Sequence, residues 1–461
     1  MSAGLAISQA NLALPAWRDP ANWMKAADIC AVLVAAALPW STSLVGIFIV
    51  AFLVVMTPTV EPRAYSQSLR RPVSALPIAF FVLAVIGTLW SEAPWGARLY
   101  AIGPVAKLLV LPAMLYHYER SLRGTWVFTS FLISCGVLMA FSWVVAFHPQ
   151  FALKPDAEYG VPVKNYIDQS QEFALCAVAL AYPIISLLRT KRFLLAALLT
   201  LVALSFVLNM VFVTISRTAL VTAPITLLVF ALLHLKWRHV VVGLCLTALL
   251  GALVWTASPH LRNTTSTFVR DYQLYKERNQ PTSIGLRLEF WKKSLSFLGE
   301  APVIGHGTGS IRGLFEQAAT GSKLTASAEI IGNPHNQTLN VAIQWGILGV
   351  VVLYAMWLFH LLLFVGDSQV AWIGFLVVVQ NFATSLFNSH LFDFNEGWIY
   401  VLGVGIAGGM VSAMAIRTEP IISSAPASEP VPVEGASNAC GSSFAPPGSL
   451  RRNGPENMRQ S

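Results

Sequence analysis

Windows of about 18 residues or more with almost no charge recur along most of this chain, broken by short polar or Pro/Gly-containing stretches. Such windows match the hydrocarbon thickness of a bilayer, where every backbone N–H and C=O must find its partner inside the protein. A helix meets that demand within one segment, so the chain is expected to fold as an all-α polytopic membrane protein. The composition agrees, with 55% of the 461 residues apolar and 11% charged. Apolar runs near 27–40, 42–58, 73–90, 99–116, 124–147, 170–188, 193–212, 216–234, 239–256, 337–364, 370–388 and 397–416 suggest about 12 transmembrane helices. Pro39, Trp40 and Ser41 read as a tight hairpin between the first two, which are short enough to allow an eleven-span reading.

The net charge of +8 follows the membrane rather than an anionic polymer. Alternate connections hold Arg18 and Lys25, then Arg63, Arg70 and Arg71, then Arg120 and Arg123, then Arg189, Lys191 and Arg192, then Lys236 and Arg238. The opposite connections hold only Arg98, Lys154, Lys164 and Arg217, and Lys107 falls within a span. Positive residues stay cytoplasmic, which sets both termini inside and residues 257–335 outside. Nucleic acid is therefore not an expected partner, whereas membrane lipids are. The expected organisation is a cytoplasmic N-terminus at 1–26, helices one to nine within 27–256, a large outward loop at 257–335, helices ten to twelve within 336–416, and a disordered cytoplasmic tail at 417–461. No small-residue cleavage site follows the first apolar run, which reads as a retained signal anchor. The five cysteines form no C-x-x-C, so neither a disulfide frame nor a zinc site is expected.

The polar residues that could carry chemistry gather on the outer side. In "SIGLRLEFWKKSLSFL", Ile284, Leu288, Trp291, Leu295 and Leu298 form an apolar stripe, which describes an interfacial helix with Lys292 and Lys293 toward headgroups. Arg287 sits at the edge of that stripe, placed either for a cavity or for a headgroup. "VIGHGTGS" has the glycine spacing of a phosphate cradle, or of a plain tight turn, and His306 lies within it. In "NPHNQTLN", Asn333 is a favoured N-cap and Pro334 a favoured first helical residue, so His335 is expected in the first turn. The positive end of the helix favours an anion there and keeps the ring neutral, as a general base requires; a histidine that merely satisfies caps is the plainer reading. Arg217 lies between two long apolar runs, facing a cavity or snorkelling to headgroups, and could share a pyrophosphate with Arg287. "SHLFDFNEGW" brings His390, Asp393, Asn395 and Glu396 to the same side. The chain has no D-x-D and no His/Cys cluster of metal-ligand spacing, so no metal or other cofactor is expected.

In the order of these elements, the chain resembles the O-antigen ligase and polymerase family of bacterial inner-membrane proteins. The likeness rests on Arg217, "GLRLEFW", "GHGTGS" and "NPHNQTLN", within many spans and with a large loop before the last three. It implies a GT-C-like helical fold in the inner membrane and a metal-independent glycosyltransferase with its site toward the periplasm. Its substrates would be O-antigen linked to undecaprenyl pyrophosphate and lipid A-core oligosaccharide. By the same likeness His335 would be the catalytic base and Arg217 and Arg287 the pyrophosphate ligands, with Asn336, His390, Asp393 and His306 in supporting or acceptor-contacting roles. A polymerase or protein O-oligosaccharyltransferase of the family would share the donor and the base. A lipid-linked glycan flippase would differ by repeated halves and charges within spans, of which Lys107 is the one clear instance.

Overall fold

The computed structural model describes residues 19–154, 158–214, 216–257, 259–321 and 324–418; most of the expected N-terminal segment and nearly all of the expected tail lie outside the described residues. Helices α1 (Pro20–Ala37), α2 (Thr42–Met56), α3 (Pro62–Leu69), α4 (Pro72–Ile86), α5 (Trp95–Ala106), α6 (Val110–Tyr118), α7 (Gly124–Phe147), α8 (Tyr166–Ala179) and α9 (Ala181–Arg189) open the chain. They are followed by α10 (Phe193–Phe212), α11 (Arg217–His234), α12 (Trp237–Ala257), α13 (Pro259–Arg278), α14 (Ser283–Glu300), α15 (Ile311–Gln317), α16 (Gln337–Leu363), α17 (Gln369–Thr384) and α18 (Phe394–Thr418). No strand occurs among the described residues. Helix starts follow the local chemistry. Proline occupies a first position in α1, α3 and α4, and Ser41, Asn165, Thr282 and Ser368 each accept a first-turn N–H through the side chain.

A helix stands at each of the twelve expected positions, but fewer qualify as spans. By length and apolarity the described residues contain 7 candidate spans: Thr42–Thr59, Trp95–Tyr118, Gly124–Phe147, Tyr166–Arg189, Phe193–Phe212, Gln337–Leu363 and Phe394–Arg417. There are up to 8 if α3 and α4, bent by 77°, count as one. The apolar stretches of α11, α12 and α17 are shorter, and α1 carries Lys25 and Asp28 in its first half. The expected hairpin at Pro39–Trp40 is present, with the Trp40 indole donating to Ser134 Oγ on α7 at 2.8 Å.

Helix α16 is broken, and this break fastens the loop that follows α14. Trp345 (φ −130°, ψ 15°) and Gly346 (φ 59°, ψ −155°) leave the helical region, stranding carbonyls before the break and N–H groups after it. The loop after α14 supplies the missing partners. His306 N and Gly307 N donate to Ile343 O and Gln344 O, both at 2.8 Å, and Ile347 N donates to Pro302 O at 2.8 Å. Thr308 N donates to Gly87 O (3.0 Å) and Gly309 N to Gln344 Oε1 (2.8 Å), while the Trp345 indole donates to Thr308 Oγ1 at 2.9 Å. "GHGTGS" is thus not a phosphate cradle, because each N–H from His306 to Gly309 already has a protein acceptor. Its glycines are required by φ values of 64° to 85° and by backbone packed where a Cβ would stand.

Gly307→Ala is accordingly expected to lower the melting temperature in detergent. The left-handed backbone alone accounts for roughly 1–2 kcal/mol, and the new Cβ would lie 2.6 Å from Ser91 Cα. Gly313→Ala, with nothing within 4 Å, is the matched control; equal melting temperatures for the two variants would refute the stapling role.

Candidate active site

The residues before α16 do not follow the expected register. Asn336, not Asn333, is the N-cap, its Oδ1 accepting from Leu339 N at 3.0 Å. His335 therefore precedes the helix rather than lying in its first turn, and its φ is 53°. A left-handed backbone at a non-glycine residue is a strained arrangement that concentrates at functional sites, and histidine is among the types that tolerate it. The turn is held from both sides. Asn333 Oδ1 accepts from His335 N (3.0 Å) and from Ser389 Oγ (2.7 Å), and Asn336 Nδ2 donates to Leu386 O (3.0 Å).

Two further elements close around the imidazole. Phe290 of α14 stacks on it at a 6.2 Å centroid distance and 24°, and Asn388, after α17, meets His335 Nδ1 with its Oδ1 at 2.8 Å. Arg287 lies three residues before Phe290 on α14, half-buried, and its positive charge reaches the same ring. The His335 pKa falls below its ordinary value, first through burial and then through the charges of Arg287 and His390, with the Asn388 hydrogen bond opposing. The shift runs in the direction expected from the sequence, toward the neutral ring, but burial rather than a helix terminus is its main cause. Arg217 begins α11, and its side chain lies outside the described residues.

The buried face of α14 is also turned from the expected one. Gly285, Glu289, Phe290, Lys293, Ser294 and Phe297 face inward, while Leu295 of the expected stripe is 59% exposed. Lys293, expected toward headgroups, is buried and donates to Ser327 O; Lys292 is exposed. Glu289 explains the rotation in part, because Tyr275 OH of α13 donates to it at 2.8 Å. His306 is occupied structurally. Its Nε2 must carry the proton, because it contacts Phe297 O, an acceptor, at 2.9 Å.

Behind His335 lies a buried charged group. His390 is fully buried, its Nδ1 3.2 Å from Glu396 Oε1 and 3.6 Å from Asp393 Oδ2. Burial alone would lower the His390 pKa, but Glu396, Asp393 and Asp168 together raise it above the ordinary value, which favours an imidazolium. Asp393 is pushed up to about 6, chiefly by burial and then by Glu396. Lys107 clamps the loop by donating to Phe392 O at 3.0 Å and to Asp393 O, so the charge within a span is an internal fastener. Asn395 donates to Glu172 Oε1 of α8 at 3.3 Å and accepts from Lys164, extending the polar group inward. His390, Asp393 and Glu396 each offer one ligand atom, all within 4.8 Å of one another, a donor set that could hold a cation. The same carboxylates lie within ion-pair distance of the His390 ring.

Sequence reasoning singled out His335, Arg287, His390 and Asp393 but missed Asn388, Phe290 and the inward-facing Asp168 and Glu172. Asn388 lies two residues before His390 in "FNSHLFD", where an amide beside a histidine is an unremarked pattern. Asp168 and Glu172, four apart at the start of an apolar segment, were the one available signal for the α8 contribution.

These features define a multi-pass helical membrane protein with an imidazole site assembled where two helices begin. Residues 201–354 match the family model described as O-antigen ligase, and support assigning the chain to the O-antigen ligase family. No curated protein matches the chain. The matched segment holds Arg217, α14, the stapling loop and His335, and ends before Asn388, His390 and Asp393.

Proposed function

We propose that this protein is an O-antigen ligase: a metal-independent, GT-C-like glycosyltransferase of the inner membrane. It joins polysaccharide from undecaprenyl pyrophosphate to lipid A-core at the periplasmic face. The observation that carries this reading is a strained, neutral-favouring imidazole with the Arg287 charge upon it, inside the segment that matches the family. His335 takes the proton of the acceptor sugar hydroxyl as that oxygen attacks the anomeric carbon, and the pyrophosphate leaves from the opposite side with inversion. Arg287 and Arg217 neutralise the charge developing on the leaving group, a task suited to bidentate guanidinium contacts.

Reconstitution with undecaprenyl-linked glycan and lipid A-core tests the reading. Joined product is expected, undiminished by exhaustive chelation. The rate should be flat above neutrality and fall as pH drops, because protonation removes the base and the His335 pKa lies below its ordinary value. Longer lipid-linked glycan without joining would identify a polymerase, glycan moved between leaflets a flippase, and activity restored to a chelated sample by divalent cation a metal-dependent transferase.

A further inference from the structure

Burial and the neighbouring charges favour a neutral His335 ring, but they do not select which of its nitrogens carries the proton. We infer that Asn388 is a positioning residue: its amide bridges the Asp393 carboxylate to His335 Nδ1, fixing the proton on Nδ1 and leaving Nε2 to accept the acceptor's proton. This inference deepens the proposed transfer reaction and rests on it for the role of Nε2.

The assignment follows from donor and acceptor accounting along three side chains. Asn388 Nδ2 lies 2.9 Å from Asp393 Oδ2, and Asn388 Oδ1 lies 2.8 Å from His335 Nδ1. A carboxylate only accepts, so the NH₂ of the amide must face Asp393. The carbonyl then faces His335, and because a carbonyl also only accepts, Nδ1 must donate. Turning the amide over would let an unprotonated Nδ1 accept from the NH₂, but it would set the amide carbonyl against the Asp393 carboxylate, two acceptors with no proton between them. One carboxylate thus dictates a tautomer through an amide, without touching the imidazole.

The segment carrying Asn388 is clamped closely enough to hold that geometry. Gln337 N donates to Ser385 O at 2.9 Å, and Leu391 N donates to Gln337 Oε1 at 3.1 Å. Ser389 is tied to Asn333 and accepts from Asn340 Nδ2 at 3.2 Å, and Lys107 holds the carbonyls of Phe392 and Asp393. Both ends of the bridge are therefore fastened to the start of α16, which carries His335 immediately before it. A relay built this way is pre-set before substrate arrives, as orientation-dependent proton transfer requires. The charges acting on His335 are Arg287 from α14 and His390 from the loop, and those acting on Asp393 are Glu396 from α18, His390 and Lys107.

The test uses the full-length protein in nanodiscs with ¹⁵N-labelled histidine, the His335 ring signals identified by their loss in His335→Gln. At pH 8 the wild-type protein is expected to show a protonated Nδ1 and an unprotonated Nε2; the opposite tautomer overturns the inference. This reading needs no turnover, so it stands apart from failure of the ligase assignment. Asn388→Ala should give mixed tautomers and a kcat lowered about tenfold to a hundredfold, the size of loss seen when the outer partner of a metal-bound histidine is removed, with KM little changed. Its acid limb should move to lower pH. Asn388→Asp places an anion on Nδ1 and should move that limb to higher pH. Loss of packing alone would shift both limbs alike or neither, and either of those results would also overturn the inference, as would an Asn388→Ala ring spectrum and kcat equal to wild type.

Discussion

Replacing His335 with alanine is expected to lower the rate of transfer by ~10²–10⁴-fold, the range contributed by a positioned general base, while the protein still inserts and folds. The ring itself supports little of the fold: it makes one hydrogen bond to Asn388 and stacks on Phe290. The clamps on either side, from Asn333 to Ser389 and from Asn336 to Leu386, do not pass through the ring. Alanine must also adopt the left-handed backbone at φ 53°, so His335→Gln, which keeps bulk and polarity without a titratable nitrogen near neutrality, is the companion variant. Both should retain donor binding if, as proposed, the pyrophosphate is held by the arginines. Near-normal ligation by either purified variant would remove His335 as the base, and joint loss of activity and melting temperature would recast it as a structural residue.

Arg287→Lys should lose most of the activity although the charge is kept. Guanidinium presents a planar fork matched to two phosphate oxygens, whereas an ammonium is a point charge on a flexible stem. Exchange at a bidentate site removes a charge-assisted hydrogen bond worth roughly 1.5–3 kcal/mol, or about tenfold to a hundredfold in rate if that bond is made mainly in the transition state. The loss should fall on kcat when the arginine acts on the departing pyrophosphate, and on KM alone when it only holds the donor. Because lysine preserves the positive charge beside His335, the acid limb should stay in place, which separates the phosphate role from the charge effect on the imidazole. Unchanged kinetics would assign Arg287 to headgroups or to packing beneath α14.

Much of the frame could be read from the chain itself. The long charge-free windows and their proline and glycine breaks located helices at all twelve expected positions, because helix formation in an apolar solvent depends on local length and composition. The count of spans was less legible, because a broken segment such as Pro62–Leu69 with Pro72–Ile86, or a short one such as Gln369–Thr384, differs from a full crossing in bend and length rather than in residue type. The glycines of "GHGTGS" were visible as a turn, but a cradle and a staple demand the same positive φ. Only the carbonyls freed by the break in α16 separate them.

Composition and periodicity, taken alone, determined that this is a helical membrane protein with its candidate polar groups concentrated around residues 283–396, and they named His335 and Arg287. The tertiary structure decided what those groups are to one another. It moved the cap of α16 to Asn336, turned Lys293 inward, and brought Asn388 and Asp393 into line behind the imidazole from beyond α17. The physical reason is that apolar burial is additive along a sequence and shows as a pattern, whereas a hydrogen-bonded relay depends on distances of about 3 Å between residues more than fifty positions apart, which no local pattern records.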